Sequence, residues 1–330
     1  MCCVLFSDID GTLLDAEYSI DVVLPKIYAL KCPLIFCTTK THAEIEYYRK
    51  ICNVNDPFIV ENGSAIYIPD GYFPFFDELF DYVRDECDEC EGEVSVEVRD
   101  GYIVLELAAD AGTDRYTHMR RVLKEISHEA GVEIRGFGDM SVRELADVSG
   151  LSVELAALAK CREYSESFLI VSSSSVAMSS GEDDSVCEEK EKGREEDSMK
   201  ESMEVRHIME KASERGFRIS HGGRFFTIYS GEVDKGRAVR ILKALFAKEH
   251  RNRNKDRNKN KNIKTYGIGD SANDIPMLSE VDIPALVRRP DGSSCVDIVP
   301  EPLRSRIYVT RGAGPEGWVE FVRKFGLVHE

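Results

Sequence analysis

Asp8 and Asp10 stand two residues apart behind the apolar run Val4-Leu5-Phe6, and Gly11-Thr12 follows them directly. The run reads as a buried parallel strand, and such strands present their chemistry at their C-terminal ends. Residues i and i+2 of a strand share a face, so the two carboxylates point the same way. Unpartnered they would repel, and a cation or a proton between them removes the repulsion. The pattern therefore predicts a hard-metal site with one carboxylate free to attack an electrophile. The structural alternative is a strand end followed by an ordinary Asp-Gly turn.

Three further stretches carry matching groups. Leu34-Ile35-Phe36-Cys37 ends in Thr38-Thr39-Lys40-Thr41. Hydroxyls and a lysine at the start of a helix can hold an oxyanion, although N-capping by Thr39 or Thr41 would use the same residues. Lys235 follows Asp234 at the start of another helix. A cation there opposes the helix dipole, and an anionic ligand would account for it. Tyr266-Gly267-Ile268-Gly269 ends in Asp270, with Asn273 and Asp274 on the following turn. Asp270 can complete a metal site with Asp8 and Asp10, or cap a helix.

These residues need a scaffold, and the chain predicts one. Strands at 4–7, 33–37 and 57–60 alternate with helices at 22–30 and 41–52, a βαβαβ pattern of a doubly wound parallel sheet. The middle reads differently. Strands at 94–98 and 102–107 flank the hairpin signal Arg99-Asp100-Gly101, and the helix 114–130 precedes strand 132–135. Helices at 141–145 and 151–159 then lead to a strand at 168–171. The expectation is an α/β core of residues 1–80 and 230–330, with an α+β domain of residues 81–229 inserted into it. The alternating style returns with helix 234–246, strand 265–268, helix 274–279, strands 283–287 and 307–309, and a closing helix 314–325 that carries Trp318. Residues 172–204 (acidic and Ser-rich) and 248–264 (Lys, Arg and Asn) read as disordered surface insertions.

Composition narrows the partners. A net charge of −17 disfavours nucleic acid and anionic membranes. No apolar run approaches a membrane span and no signal peptide is evident, so a soluble cytoplasmic protein is expected. Several of the ten cysteines lie inside strand-like runs and read as buried thiols. Cys87 and Cys90 have metal-ligand spacing but no second ligand pair nearby. Oligomeric state is left open.

The four pieces, in this order and spacing, resemble the motifs of the haloacid-dehalogenase superfamily. Asp8-Ile9-Asp10-Gly11-Thr12 is similar to its nucleophile motif, Thr38 to its hydroxyl motif, Lys235 to its lysine motif and Gly269–Asp274 to its acidic motif. The inserted unit falls where that superfamily carries a C2-type (IIB) cap. Within that superfamily, the segments Thr38-Thr39-Lys40-Thr41-His42-Ala43-Glu44, Glu61-Asn62-Gly63, Arg162-Glu163-Tyr164-Ser165-Glu166 and Gly222-Gly223-Arg224-Phe225 of this chain resemble those of mannosyl-3-phosphoglycerate phosphatases. Thr38 for Ser, His42 for Arg and Ser167 for Pro are the departures.

The resemblance implies hydrolysis of 2-O-mannosyl-3-phosphoglycerate to mannosylglycerate, a compatible solute, through an aspartyl-phosphate. Asp8 is then the nucleophile and Asp10 the general acid and base. Mg2+ is held by Asp8, Asp10 (through its backbone carbonyl), Asp270 and the supporting Asp274. Thr38 and Lys235 stabilise the phosphoryl group. Lys40, Arg162, Arg224 and Asn273 are the expected substrate contacts. Glucosyl-3-phosphoglycerate phosphatase activity, a phosphomutase of the same fold and a non-catalytic phosphoglycoside-binding protein are the rivals.

Overall fold

A computed structural model describes residues 3–75, 82–83, 94–107, 115–171, 203–222, 225–253 and 263–329. Arg224, the Cys87/Cys90 pair and most of both low-complexity stretches lie outside the described residues.

Strand β1 (Cys3–Ser7) is buried along its whole length. Its side chains alternate between two cores: Val4 and Phe6 face one apolar cluster, Cys3 and Leu5 the other. Strand β2 (Leu34–Phe36) pairs with it in parallel and leads to helix α1 (His42–Cys52). Thr41 caps α1 through a reciprocal box with Glu44, as the Thr-x-x-Glu spacing predicts. The region expected to be helical at 22–30 forms only one turn, Leu24–Ile27.

Strand β3 (Phe58–Val60) departs from the expectation of a third parallel strand. It touches β2 only at a single parallel bridge, Cys37 with Ile59. It then pairs antiparallel with β4 (Ala65–Pro69), a strand that sequence reading did not identify. The reversal is made by Glu61, Asn62 and Gly63, which all have left-handed backbones with φ of 44°, 63° and 91°. Strands β5 (Ser95–Arg99) and β6 (Tyr102–Glu106) join β4, giving the order β3-β4-β6-β5. This hairpin, which the sequence places inside the 81–229 unit, thus hydrogen-bonds to the core side of the molecule. Asp100 and Gly101 both have positive φ, as the tight Asp-Gly turn requires.

A separate antiparallel sheet forms the cap, with order β7-β8-β10-β9. Its strands are β7 (Ile134–Gly136), β8 (Ser165–Ile170), β9 (Phe217–Gly222) and β10 (Phe225–Ser230). Met119, Val122, Leu123 and Ile126 of helix α2 (Arg115–Ala130) pack with Phe168, Phe226 and Ile228 of the sheet. Ile208 and Ala212, from a helix over residues 203–214, join them. Helices α3 (Val142–Ser149) and α4 (Val153–Ala159) form a second small core with Phe137 and Met140.

The chain returns to the core with helix α5 (Lys235–Arg253), which is longer than expected and takes in the first residues of the basic run. Strand β11 (Lys264–Gly269), helix α6 (Ile275–Glu280), strands β12 (Ile283–Arg288) and β13 (Tyr308–Ala313) and helix α7 (Gly314–Lys324) follow. The parallel sheet has the order β13-β12-β11-β1-β2, so β1 and β11 are neighbours.

The left-handed turn after β3 packs against the start of α5. A side chain at Gly63 would overlap the carbonyl of Asp234, in addition to the strain of its positive φ. Gly63→Ala is expected to lower stability by at least about 2 kcal/mol, measured by urea unfolding. Gly71, also at positive φ but with open space around it, should tolerate alanine at a cost nearer 1 kcal/mol.

Candidate active site

The C-terminal ends of β1, β2 and β11 meet at one place. Ser7 lies opposite Ile268 in the β1–β11 register and opposite Phe36 in the β1–β2 register. Asp8, Asp270 and Thr38 therefore leave neighbouring strands at nearly the same level. The backbone N–H of Asp8 donates to Ile268 O at 3.0 Å. Its carbonyl accepts from Ser7 Oγ at 2.8 Å, and Ser7 Oγ accepts from Trp318 Nε1 at 3.2 Å.

Lys235, the first residue of α5, reaches this space. Its Nζ donates to Asp8 Oδ1 at 2.7 Å and to Asp274 Oδ1 at 2.6 Å, and the side chain is only 1% exposed. The other oxygen of Asp274 accepts from the backbone N–H groups of Asp270 (3.1 Å) and Ser271 (3.0 Å) and from the Ser271 hydroxyl (3.0 Å). Asp274 is thus engaged at both oxygens; it aims the lysine and braces the turn that bears Asp270.

Asp8, Asp270 and Asp274 each offer an oxygen within 4.8 Å of the others. Three carboxylates face one ammonium, which leaves an excess of negative charge. Burial drives the Asp8 acid well above its usual range, Asp274 and Asp270 add to the effect, and Lys235 opposes it. Burial, then Asp274, raises Asp270 to about 7. Burial alone would depress Lys235, but Asp274 and Asp8 outweigh it and hold the ammonium above its usual range. An all-oxygen set with surplus negative charge fits a hard divalent cation. Gly11 lets the loop after Asp8 lie against this set, since a Cβ there would stand 2.8 Å from Asp270 Oδ2.

Asp10 lies apart from the three-carboxylate group. Its side chain is 41% exposed, and its Oδ1 is 2.9 Å from Lys40 Nζ. Thr38 is fully buried, and its Oγ1 accepts from the Lys40 N–H at 3.3 Å, which leaves its own proton for an incoming anion.

The expected substrate contacts fare differently from Asp8, Lys235 and Asp270. Lys40 is turned to Asp10 and to Glu44, 3.3 Å away. Arg162 donates from both terminal nitrogens to Thr39 O at 3.3 Å, and from Nη1 also to Ser165 Oγ at 2.6 Å. Its charge partner is Glu61 at 3.8 Å, across the core–cap junction, and not the adjacent Glu163 or Glu166. Asn273 accepts from the Ser271 hydroxyl.

Sequence reasoning missed Glu61 as an organising group. Its carboxylate is 1% exposed and accepts from Glu163 N (3.0 Å), Tyr164 N (3.1 Å) and Ser165 Oγ (2.6 Å). Burial pushes this acid up while Arg162 and these donors pull it down. The signal available was the Glu-Asn-Gly sequence, whose asparagine and glycine favour left-handed turns.

Comparisons with known proteins give the chain's family and fold. Residues 5–83 match the haloacid dehalogenase-like hydrolase family. A glucosyl-3-phosphoglycerate/mannosyl-3-phosphoglycerate phosphatase of Methanococcoides burtonii is 34% identical, covering 96% of this chain and 94% of its own. A mannosyl-3-phosphoglycerate phosphatase of Pyrococcus furiosus is 32% identical, covering 86% of this chain and 90% of its own. Among solved structures, a sucrose-phosphatase of Synechocystis in complex with sucrose and phosphate shares the fold, with a TM-score of 0.52 at 15% identity over 99% of both chains.

Folding raises the acids of Asp8 and Asp270, so the metal-free protein keeps their full contribution only at low pH and loses it as pH climbs through the raised values. A bound divalent cation relieves that penalty. The gain in melting temperature on adding excess Mg2+ is expected to be larger at pH 8 than at pH 6. Equal gains at both pH values would place the cation elsewhere.

Proposed function

Because the chain belongs to the mannosyl-3-phosphoglycerate phosphatase family of haloacid dehalogenase-like hydrolases, we propose that it hydrolyses 2-O-mannosyl-3-phosphoglycerate to mannosylglycerate and phosphate with Mg2+. The observation that carries the reading is Asp8, held 2.7 Å from a buried lysine and beside Asp270 where three strands end.

In this reading an Asp8 oxygen attacks phosphorus as the ester P–O bond breaks, and Asp10 gives its proton to the departing oxygen. Asp10, now ionised, takes a proton from water; the water oxygen attacks the same phosphorus and frees Asp8. Thr38 and Lys235 neutralise phosphoryl oxygens as charge shifts among them. Asp8, Asp270 and the Asp10 carbonyl would hold Mg2+, which when bound would supply further charge neutralisation. Asp274 keeps Lys235 aimed.

The glycerate carboxylate needs a cation near the junction of core and cap. Arg162 is the best placed, for its Nε–H is buried and makes no hydrogen bond among the described residues. The Asn62 amide is in the same condition, and its backbone N–H donates to Thr38 O at 3.0 Å. Arg224 and Asn273 complete the proposed substrate set. A cytoplasmic setting suits Cys37, Cys52 and Cys295, buried thiols that form no disulfide among the described residues.

A second reading extends the substrate to glucosyl-3-phosphoglycerate, because the Methanococcoides burtonii relative carries both names. The two sugars differ at one hydroxyl, and a single hydrogen bond would decide between them.

Purified protein with Mg2+ is expected to release phosphate from mannosyl- or glucosyl-3-phosphoglycerate faster than from simple hexose phosphates. Asp8→Asn should lower that rate by roughly three orders of magnitude or more. Preference for a hexose phosphate, or interconversion of mannose 1- and 6-phosphates, would overturn the substrate assignment. Equal rates for wild type and Asp8→Asn would overturn the nucleophile.

A further inference from the structure

We propose that Lys40 is a positioning residue that fixes the Asp10 carboxylate, and not a contact for the substrate's own carboxylate. The inference deepens the phosphatase reading and rests on it.

Lys40 is 5% exposed, and its surroundings account for its charge without a ligand. Asp10 Oδ1 lies at 2.9 Å and Glu44 Oε1 at 3.3 Å, and the rings of Tyr18 and Tyr48 flank the ammonium at 5.6 and 5.7 Å. One cation between two carboxylates leaves a net negative charge, which repels a further anion. An ammonium has three donors, and two aromatic faces close much of the remaining space. Asp10 and Glu44 outweigh burial and keep the lysine protonated.

The anchor behind Lys40 is itself fixed. Glu44 Oε2 accepts from Thr41 N at 3.0 Å, while Thr41 Oγ1 accepts from Glu44 N at 3.1 Å. This box is the N-terminal cap of α1. A continuous chain of contacts thus runs from the helix terminus through Glu44 and Lys40 to Asp10. At the opposite end of that chain the Asp10 side chain is partly exposed, but the Oδ1 that meets Lys40 is itself buried. Among the described residues no other cation lies within 4.0 Å of it. A proton donor that must reach the ester oxygen needs a defined rotamer, and displacement by about 1 Å can cost on the order of a hundredfold in rate.

A double-mutant cycle separates the two roles. It is run on whichever phosphomonoester the wild type turns over fastest, so an error in the sugar assignment leaves it intact. Lys40→Met is expected to lower kcat by about ten- to a hundredfold with KM within about threefold. In an Asp10→Asn background the same substitution should change kcat by less than about twofold, because its target is gone. Lys40→Arg should recover part of the rate. Should Lys40→Met fail to fold, Glu44→Gln takes its place in the cycle, with the same non-additivity expected. A rise in KM with kcat preserved would assign Lys40 to the substrate. Losses that multiply in the double variant would show that it does not act through Asp10. Either result overturns the proposal while leaving the phosphatase reading standing; a wild type that releases no phosphate from any ester would overturn both.

Discussion

The buried ammonium of Lys235 is the interaction on which the rest of the site depends. Asp8 and Asp274 converge on it from opposite sides, at 2.7 and 2.6 Å. Without it, three carboxylates would share one dry pocket, and each would take up a proton or push the others apart. The three partners come from the end of β1, the start of α5 and the turn after β11, so the parallel sheet must place β1 beside β11 before the pocket can exist. The cost of desolvating the lysine is offset only while both carboxylates remain in contact. The geometry of this site and the topology of the core are for that reason a single problem in this chain.

Much of this was legible from residue order. β1 is a short apolar run and β11 a glycine-containing strand, each followed directly by an aspartate, and the Thr-x-x-Glu box marks the start of α1 at the residue observed. Asp8, Lys235 and Asp270 come together as a strand-end site requires. Partner choice was not legible. Lys40 and Arg162 look alike in sequence, as basic residues near loops, yet each is matched to acids by tertiary geometry. Glu61 and Arg162 are about a hundred residues apart, and no local pattern links them. β3 was missed as a sheet-changing strand because its apolar composition suits either partner, and the decision lies in the three left-handed residues that follow it.

That turn does three things in consecutive positions. Glu61 receives the backbone of residues 163 and 164 from the cap, Asn62 lies against Thr38, and Gly63 packs on the residue before Lys235. Left-handed backbone at non-glycine residues is strained, and such strain persists where surrounding contacts overdetermine it. Here the contacts come from Thr38 and Asp234 on one side and residues 163 and 164 on the other. The position of the cap and the shape of the pocket are thereby read by the same few atoms.

Trp318 is the only tryptophan of the chain, and its indole N–H reaches the Asp8 carbonyl through one hydroxyl, that of Ser7. It is fully buried in the core behind the strand end. Indole emission responds to hydrogen bonding at that nitrogen and to charge nearby. The protein consequently carries an indole two hydrogen bonds from the proposed nucleophile, and under that proposal filling of the pocket or esterification of Asp8 would register in its emission without a label.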